Sequence, residues 1–231
     1  MYKERASQIG KIMTNARKKD EVLGGTAKTQ VQQTLIKDLY GIRKEFWSKQ
    51  MDKGNICEDD SIELYARVNG FFDLKKNEES FENDFFTGTP DLLHEDYVID
   101  IKTSWDGTTF PWFAEEIPTK DYFYQLQAYM DLTGKRKAIL AYCLTDAPED
   151  MMQDEIRRQG WQHKMIEITE EFEEKVRGQM CFGQIPDDLR IKTFHFEYDE
   201  DVIIKMKERV VYCRAYYEEL ITALANKKIN K

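Results

Sequence analysis

With 231 residues, 41% of them hydrophobic and 33% charged, the chain is too apolar for disorder and long enough to bury one core, so a single domain over residues 1–231 is expected. Lys and Arg number 34 against 43 Asp and Glu, a net charge of −9 that argues against a general nucleic-acid binder, yet residues 1–53 hold 12 basic against 6 acidic side chains. No segment approaches ~18 consecutive apolar residues, and the opening MYKERASQIGKIM lacks a signal-peptide core, so the expected location is the cytoplasm, with no membrane span.

Ser7 can cap a short helix over residues 8–13, and NARKKDEVLGG reads as a charged loop closed by two glycines. Val31, Leu35, Leu39, Ile42 and Phe46 recur at spacings of three and four, which predicts an amphipathic helix over 28–49. Asn55 offers a cap for a second helix reaching residue 68, with Ile62, Tyr65 and Val68 on one face. Beyond Gly70, short apolar runs broken by Asn, Gly, Pro and Asp predict a meander. Its strands fall at 81–87, 91–94 and 97–103, with a tight turn at Glu95 and Asp96. Helices are expected over 112–116 and 119–132, the second stopped by Gly134, then a buried strand over 136–146. Pro148 opens a helix to residue 159, and a helix over 169–180, a strand over 191–198 and a long helix over 201–225 follow. The alternation predicts an α/β (α+β) core, a central mixed sheet flanked by helices.

Cys57, Cys143, Cys181 and Cys213 include no CxxC pair and stand apart from His94, His163 and His195, which are themselves scattered. Zinc, iron–sulfur and histidine-based sites are therefore disfavoured, and the thiols read as reduced. The informative segment is TGTPDLLHEDYVIDIKTSW. In a strand, alternate residues share a face, so Val98, Asp100, Lys102 and Ser104 point one way and Tyr97, Ile99 and Ile101 the other. Asp91 precedes them on the other arm of the expected hairpin, where its carboxylate can lie beside that of Asp100. Two neighbouring carboxylates repel unless a proton or cation lies between them. A hard divalent cation takes such oxygen ligands and is commonly shared with substrate phosphate, which suggests metal-assisted phosphodiester hydrolysis. An isolated Asp-x-Lys, by contrast, is ordinarily a solvated ion pair, and an Asp after Pro a turn residue.

The PD of TPDLL and the DIK of VIDIKTSW together resemble the PD-(D/E)XK nuclease superfamily. KGNICEDDSIELY places Glu58 as in that superfamily's first motif, and YFYQLQAYMDLTG holds Gln125 and Tyr129 at QxxxY spacing. This order is similar to RecB-like and lambda-exonuclease/YqaJ-type viral recombination nucleases, and RASQIGKIMT, with Arg5 and Ser7, looks like the N-terminal element of the phage members. The resemblance covers roughly residues 5–145; neither a GxxxxGKT loop nor a C-terminal cysteine cluster accompanies it.

The resemblance implies a restriction-endonuclease-like core and an Mg²⁺-dependent exonuclease, with Mn²⁺ as a substitute, that resects linear double-stranded DNA ends from 5′ to 3′ for phage-type recombination. It further implies metal held by Asp91, Asp100 and the main-chain carbonyl of Ile101, with Glu58 assisting and Lys102 and Gln125 positioning the nucleophile. A ring-shaped homotrimer and a single-strand annealing protein as partner belong to the same implication. The residues themselves leave alternatives open. Glu58 could complete a capping box with Asn55, with Asp59 or Glu63 as substitutes at the site. Tyr129 suits a core position as well as a DNA contact, and Arg5 and Ser7 suit a surface charge and a helix cap as well as phosphate contacts. Trp112, in TTFPWF, is a core residue or a base-stacking one. A PD-(D/E)XK endonuclease and a non-catalytic DNA-binding module are the competing functions.

Overall fold

The computed structural model of the chain describes residues 1–44 and 47–229. At its centre are four strands in the order β4-β5-β6-β7: Leu92–His94, Tyr97–Thr103, Lys137–Cys143 and Ile191–Glu197. β4 and β5 form the expected hairpin, with Leu92 opposite Ile99 and His94 opposite Tyr97 across the two-residue turn at Glu95 and Asp96. Glu95 carries φ 44°, the left-handed conformation that tight hairpin turns require and that side chains other than Asn, Asp and Gly adopt infrequently. β5 and β6 are parallel, as the intervening helix α5 (Lys120–Thr133) requires, and β7 closes the sheet antiparallel to β6. A smaller sheet in the order β1-β3-β2 joins Glu4–Arg5, Phe86–Gly88 and Phe81–Glu82.

Each face of the main sheet is covered by helices, as the near-continuous apolar runs of β5 and β6 demand. On one face Ile99, Ile101, Ile139 and Ala141 pack against Ile62, Leu64 and Tyr65 of α4 (Glu58–Asn69). On the other, Val98, Ala138 and Leu140 meet Leu126 and Met130 of α5. Ile9 and Ile12 of α1 (Ile9–Ile12), Val31 of α2 (Gly25–Tyr40) and Met206 and Val210 of α8 (Glu200–Ile229) extend that second core. Two further helices, α6 (Glu149–Gln162) and α7 (Glu170–Arg177), lie between β6 and β7 in the chain and pack against each other. Among the described residues no helix is long and apolar enough to cross a membrane.

Four details differ from the pattern reading. The amphipathic run from residue 28 ends at Tyr40 because Gly41, at φ 69°, turns left-handed and its N–H closes on the Lys37 carbonyl. Of the residues assigned to that run, Leu39 and Ile42 are exposed and Phe46 lies outside the described residues. Ser48, not Asn55, caps the next helix, α3 (Lys49–Ile56), by accepting the Met51 N–H, and Asn55 sits inside it. The predicted strand 81–87 is a β2–β3 hairpin, because the Asn83 side chain accepts both the Phe85 and Phe86 N–H groups and turns the chain. Residues 112–116 form no helix: Asp106 accepts from the backbone of Thr108 and Thr109, and the Trp112 indole donates to the Gly107 carbonyl at 2.6 Å, fixing an irregular loop.

Candidate active site

β4 pairs with β5 as far as Leu92 opposite Ile99, and Asp91, the residue before it, lies close enough to Asp100 for the two charges to interact. Asp91 lies just before the strand, and its Oδ2 accepts the Ile101 N–H at 2.8 Å, which fixes the carboxylate across the hairpin. Asp100 is 1% exposed, on the face of β5 that looks at α5. There the Gln125 amide donates to Asp100 Oδ1 at 2.9 Å and to the Tyr129 hydroxyl at 3.1 Å. Gln125 and Tyr129 share a side of α5 through their i, i+4 spacing, and the helix can approach because residue 88 is glycine. A Cβ there would stand 2.7 Å from Tyr129 Cε1 and 2.9 Å from Ala6 Cβ.

Lys102, two residues along the same face, brings Nζ to 2.6 Å from Asp100 Oδ2. The contact is a short, buried ion pair, so Lys102 is the partner of Oδ2 as Gln125 is of Oδ1. The Lys102 ammonium also lies 5.1 Å from the centre of the Tyr122 ring, a cation–π contact that steadies it from the α5 side. Burial alone would lower the Lys102 pKa, but the charges of Asp100 and Asp91 outweigh it and hold the amine above its usual value. For Asp91 burial and then repulsion by Asp100 act in the same direction and raise its pKa well above the ordinary carboxylate range.

Glu58 opens α4 and is close enough for its charge to raise the Asp91 pKa further. Its Oε2 accepts from Lys76 Nζ at 2.7 Å, and Lys76 is held there by a bridge to Leu92 beside β4. The described residues include no cluster of three carboxylate, thiol or imidazole groups arranged to hold a metal. The structure thus brings together Asp91, Asp100, Lys102 and Gln125, with Glu58 at the edge and engaged by a lysine. Asp91 and Asp100 fit a hard cation. Both offer oxygen, and their mutual repulsion is the penalty a cation would relieve.

The remaining expected contacts divide. Tyr129 is 4% exposed and its hydroxyl meets Gln125, so it buttresses the site from inside and offers DNA no surface. Burial pushes its hydroxyl pKa up to about 12. Trp112 packs edge-on against Phe110, 4.7 Å between ring centres, and its indole N–H is satisfied within the loop. The exposed aromatic of that loop is its neighbour Phe113. Arg5, on β1, faces a cavity of about 720 Å³ also lined by Lys3, Lys11, Lys37 and Arg43. Ser7 is exposed within a 3₁₀ turn over Ala6–Gln8, caps no helix, and does not line that cavity. Lys76 and Tyr122 escaped the sequence reading, since Lys76 sits among charges that look solvated and Tyr122 precedes the QxxxY pair.

Of solved structures, a phage-related exonuclease from Haemophilus somnus 129PT matches with TM-score 0.79 and 29% identity over 96% of each chain. The chain is thus similar to a phage-related exonuclease, in line with the resemblance to lambda-exonuclease/YqaJ-type PD-(D/E)XK nucleases that its motifs carry. Two structures of an alkaline exonuclease from Laribacter hongkongensis share the fold of this chain. One has TM-score 0.68 at 17% identity, the other, a complex with dAMP, 0.62 at 18%, and each covers 99% of this chain and 94% of the other. No protein-family model and no curated protein matches the sequence. The mixed sheet flanked by helices is the restriction-endonuclease-like core that the motif order implied.

Proposed function

We propose that this protein is a divalent-metal-dependent DNA exonuclease that shortens linear duplexes from their ends, 5′ to 3′, in phage-type recombination. The observation that carries the reading is the placement of Asp91 beside Asp100, with Lys102 and Gln125 converging on the Asp100 carboxylate. A bound Mg²⁺ or Mn²⁺ would neutralise charge on the scissile phosphate and favour ionisation of an attacking water. Asp91, Asp100 and the Ile101 carbonyl are the groups to hold it, with Glu58 assisting once released from Lys76. Gln125 fixes the Asp100 carboxylate through Oδ1, while Oδ2 meets Lys102. Lys102, kept protonated by the two aspartates, supplies a fixed positive charge beside the phosphate and orients the nucleophile. Phosphoryl transfer asks the protein chiefly for such placement and charge.

Action at ends is supported by the names of the similar structures, both exonucleases, and by the basic cavity around Arg5. An Arg fork among five further basic side chains, Lys3, Lys11, Lys37, Arg43 and Lys44, suits a terminal phosphate dianion. The acidic Glu4, Asp38 and Glu218 also line the cavity, which would keep it from holding polyanion indiscriminately. A homotrimer of 27.4 kDa subunits around DNA and a single-strand annealing partner complete the proposal.

The test incubates protein with Mg²⁺ and either linear duplexes bearing 5′-phosphate or 5′-hydroxyl ends or a covalently closed circle. Linear DNA should be degraded, the circle spared, and 5′-phosphate ends preferred, a preference that Arg5→Ala should erase more than it lowers the basal rate. Cutting of the closed circle would make the protein an endonuclease, and full activity in excess chelator would remove the metal from the reading.

A further inference from the structure

Lys53 has no exposed surface at all, a rare condition for a lysine. From α3 its ammonium donates to the carbonyls of Ser104 at 3.0 Å, Trp105 at 2.9 Å and Thr145 at 2.8 Å, one acceptor for each of its three hydrogens. These carbonyls lie immediately past the ends of β5 and β6. The parallel ladder between those strands makes its last rung there, from the Ser104 N–H to the Cys143 carbonyl at 2.9 Å. Two parallel strands that stop together leave backbone carbonyls without a neighbouring strand to satisfy them. The Ser104 hydroxyl makes no hydrogen bond among the described residues, so that side chain supplies no tie of its own.

The grip continues along α3 and α4 at four-residue steps. Cys57 Sγ contacts the Asp146 carbonyl at 3.5 Å, and the Ser61 and Thr103 hydroxyls share a hydrogen bond of 2.8 Å. Phe182 roofs the ammonium, its ring centre 5.4 Å away. An apolar residue at position 53 could pack this helix without the cost of burying a charge. The charge is explained by the strand ends it joins, one of which begins two residues after Lys102.

We propose that Lys53 is a positioning residue for the nuclease reaction, an internal cation that locks the ends of β5 and β6 together so that the strand end carrying Lys102 is held in place at the site. The inference rests on the nuclease reading above. Lys53 touches neither the site carboxylates nor the basic cavity, so its loss is felt in turnover and not in DNA capture.

The experiment measures kcat and KM on linear duplex for wild type and Lys53→Ala, with and without propylammonium chloride, which matches the atoms removed. Lys53→Ala should lower kcat at least tenfold with KM within threefold of wild type, and propylammonium should restore at least fivefold of the loss. Tetramethylammonium chloride at equal ionic strength, which has no N–H to donate, should restore nothing. Hydrogen exchange should quicken in peptides covering the ends of β5 and β6 and leave β7 unchanged. If Lys53→Ala does not fold, Lys53→Gln, whose amide can still donate to two of the carbonyls, takes its place with the same expected fall in kcat. A folded variant with wild-type kcat, or a loss carried by KM alone, would overturn the proposal while the nuclease reading stands. A wild-type protein unable to hydrolyse DNA with any divalent metal would overturn both.

Discussion

Replacing Asp91 with Asn should make the metal-free protein more stable while destroying its activity. The asparagine oxygen can still accept the Ile101 N–H that now reaches Asp91 Oδ2 at 2.8 Å, so the local hairpin survives. What disappears is repulsion. Directly opposed hairpin side chains stand ~5 Å apart, and two like charges at that separation in an effective dielectric of ~20 repel by about 3 kcal/mol. The Lys102 ammonium, 2.6 Å from Asp100 Oδ2, offsets part of this and leaves a net relief of about 1–2 kcal/mol. For a chain of this length that corresponds to a rise in Tm of roughly 3–6 °C. The sign with pH follows from the raised Asp91 pKa. A carboxyl whose folded pKa exceeds its unfolded value favours the fold most below the unfolded value, and that contribution is lost as pH rises through the folded one. The advantage of Asp91→Asn should therefore be absent near pH 4 and complete by about pH 8. Thermal denaturation in excess chelator at the two pH values is the assay, alongside hydrolysis of linear duplex in Mg²⁺. Turnover should fall by at least about a hundredfold, and Mg²⁺ should raise the Tm of wild type more than that of the variant. A variant less stable than wild type in chelator at pH 8, or one that retains turnover, would refute the picture of a strained carboxylate pair awaiting a cation.

Lys102→Ala should reduce kcat by about a hundredfold or more with a smaller change in DNA affinity, as for the loss of one preorganised charge; measured affinity collapsing at normal kcat would make it a phosphate anchor instead. Glu4 is 2% exposed, and burial raises its pKa to about 6 despite hydrogen bonds from Tyr2, Arg5 and Gln30. Its contribution to stability is present below the ordinary value of 4.5 and lost as pH rises through about 6, so Glu4→Gln should be stabilising by about 2 kcal/mol at pH 8 and neutral near pH 4 in denaturant titrations. Gly88→Ala should cost about 1–3 kcal/mol and lower turnover, because the added methyl meets Tyr129 and displaces the residue behind Gln125; unchanged melting would show that α5 has room to move.

The hairpin and its chemical face were legible because a strand's two-residue period assigns each side chain to a side. Asp100 and Lys102 accordingly lie together, while Ile99 and Ile101 enter the core against α4. The helix order was legible for the same reason at period 3.6, and Thr119, Gly134 and Thr169 mark helix ends where expected. The break after Tyr40 was not, since apolar spacing continued through Leu39 and Ile42 and only the left-handed Gly41 reveals the turn. Glu58 reads alike as a cap or a site acid until a bridge 16 residues apart in sequence, from Lys76 to Leu92, brings a lysine to it. The role of Lys53 depends on three backbone carbonyls from two strand ends, and no side-chain pattern encodes where carbonyls converge.

The turn at Glu95 acts as a length gauge for the chemistry. Facing positions on the two arms of the hairpin keep a constant sum, so the separation of the two carboxylates is set by how many residues the chain spends in reversing direction. One residue inserted between His94 and Tyr97 would turn the Asp91 side chain toward α4 or slide it along β5, with every core contact of β6 and α5 intact. Two would restore the face and leave the partners one rung out of step. Loop length, ordinarily the most forgiving variable in a protein, is here as constrained as the identity of the acids it brings together, and the left-handed Glu95 marks where that constraint is held.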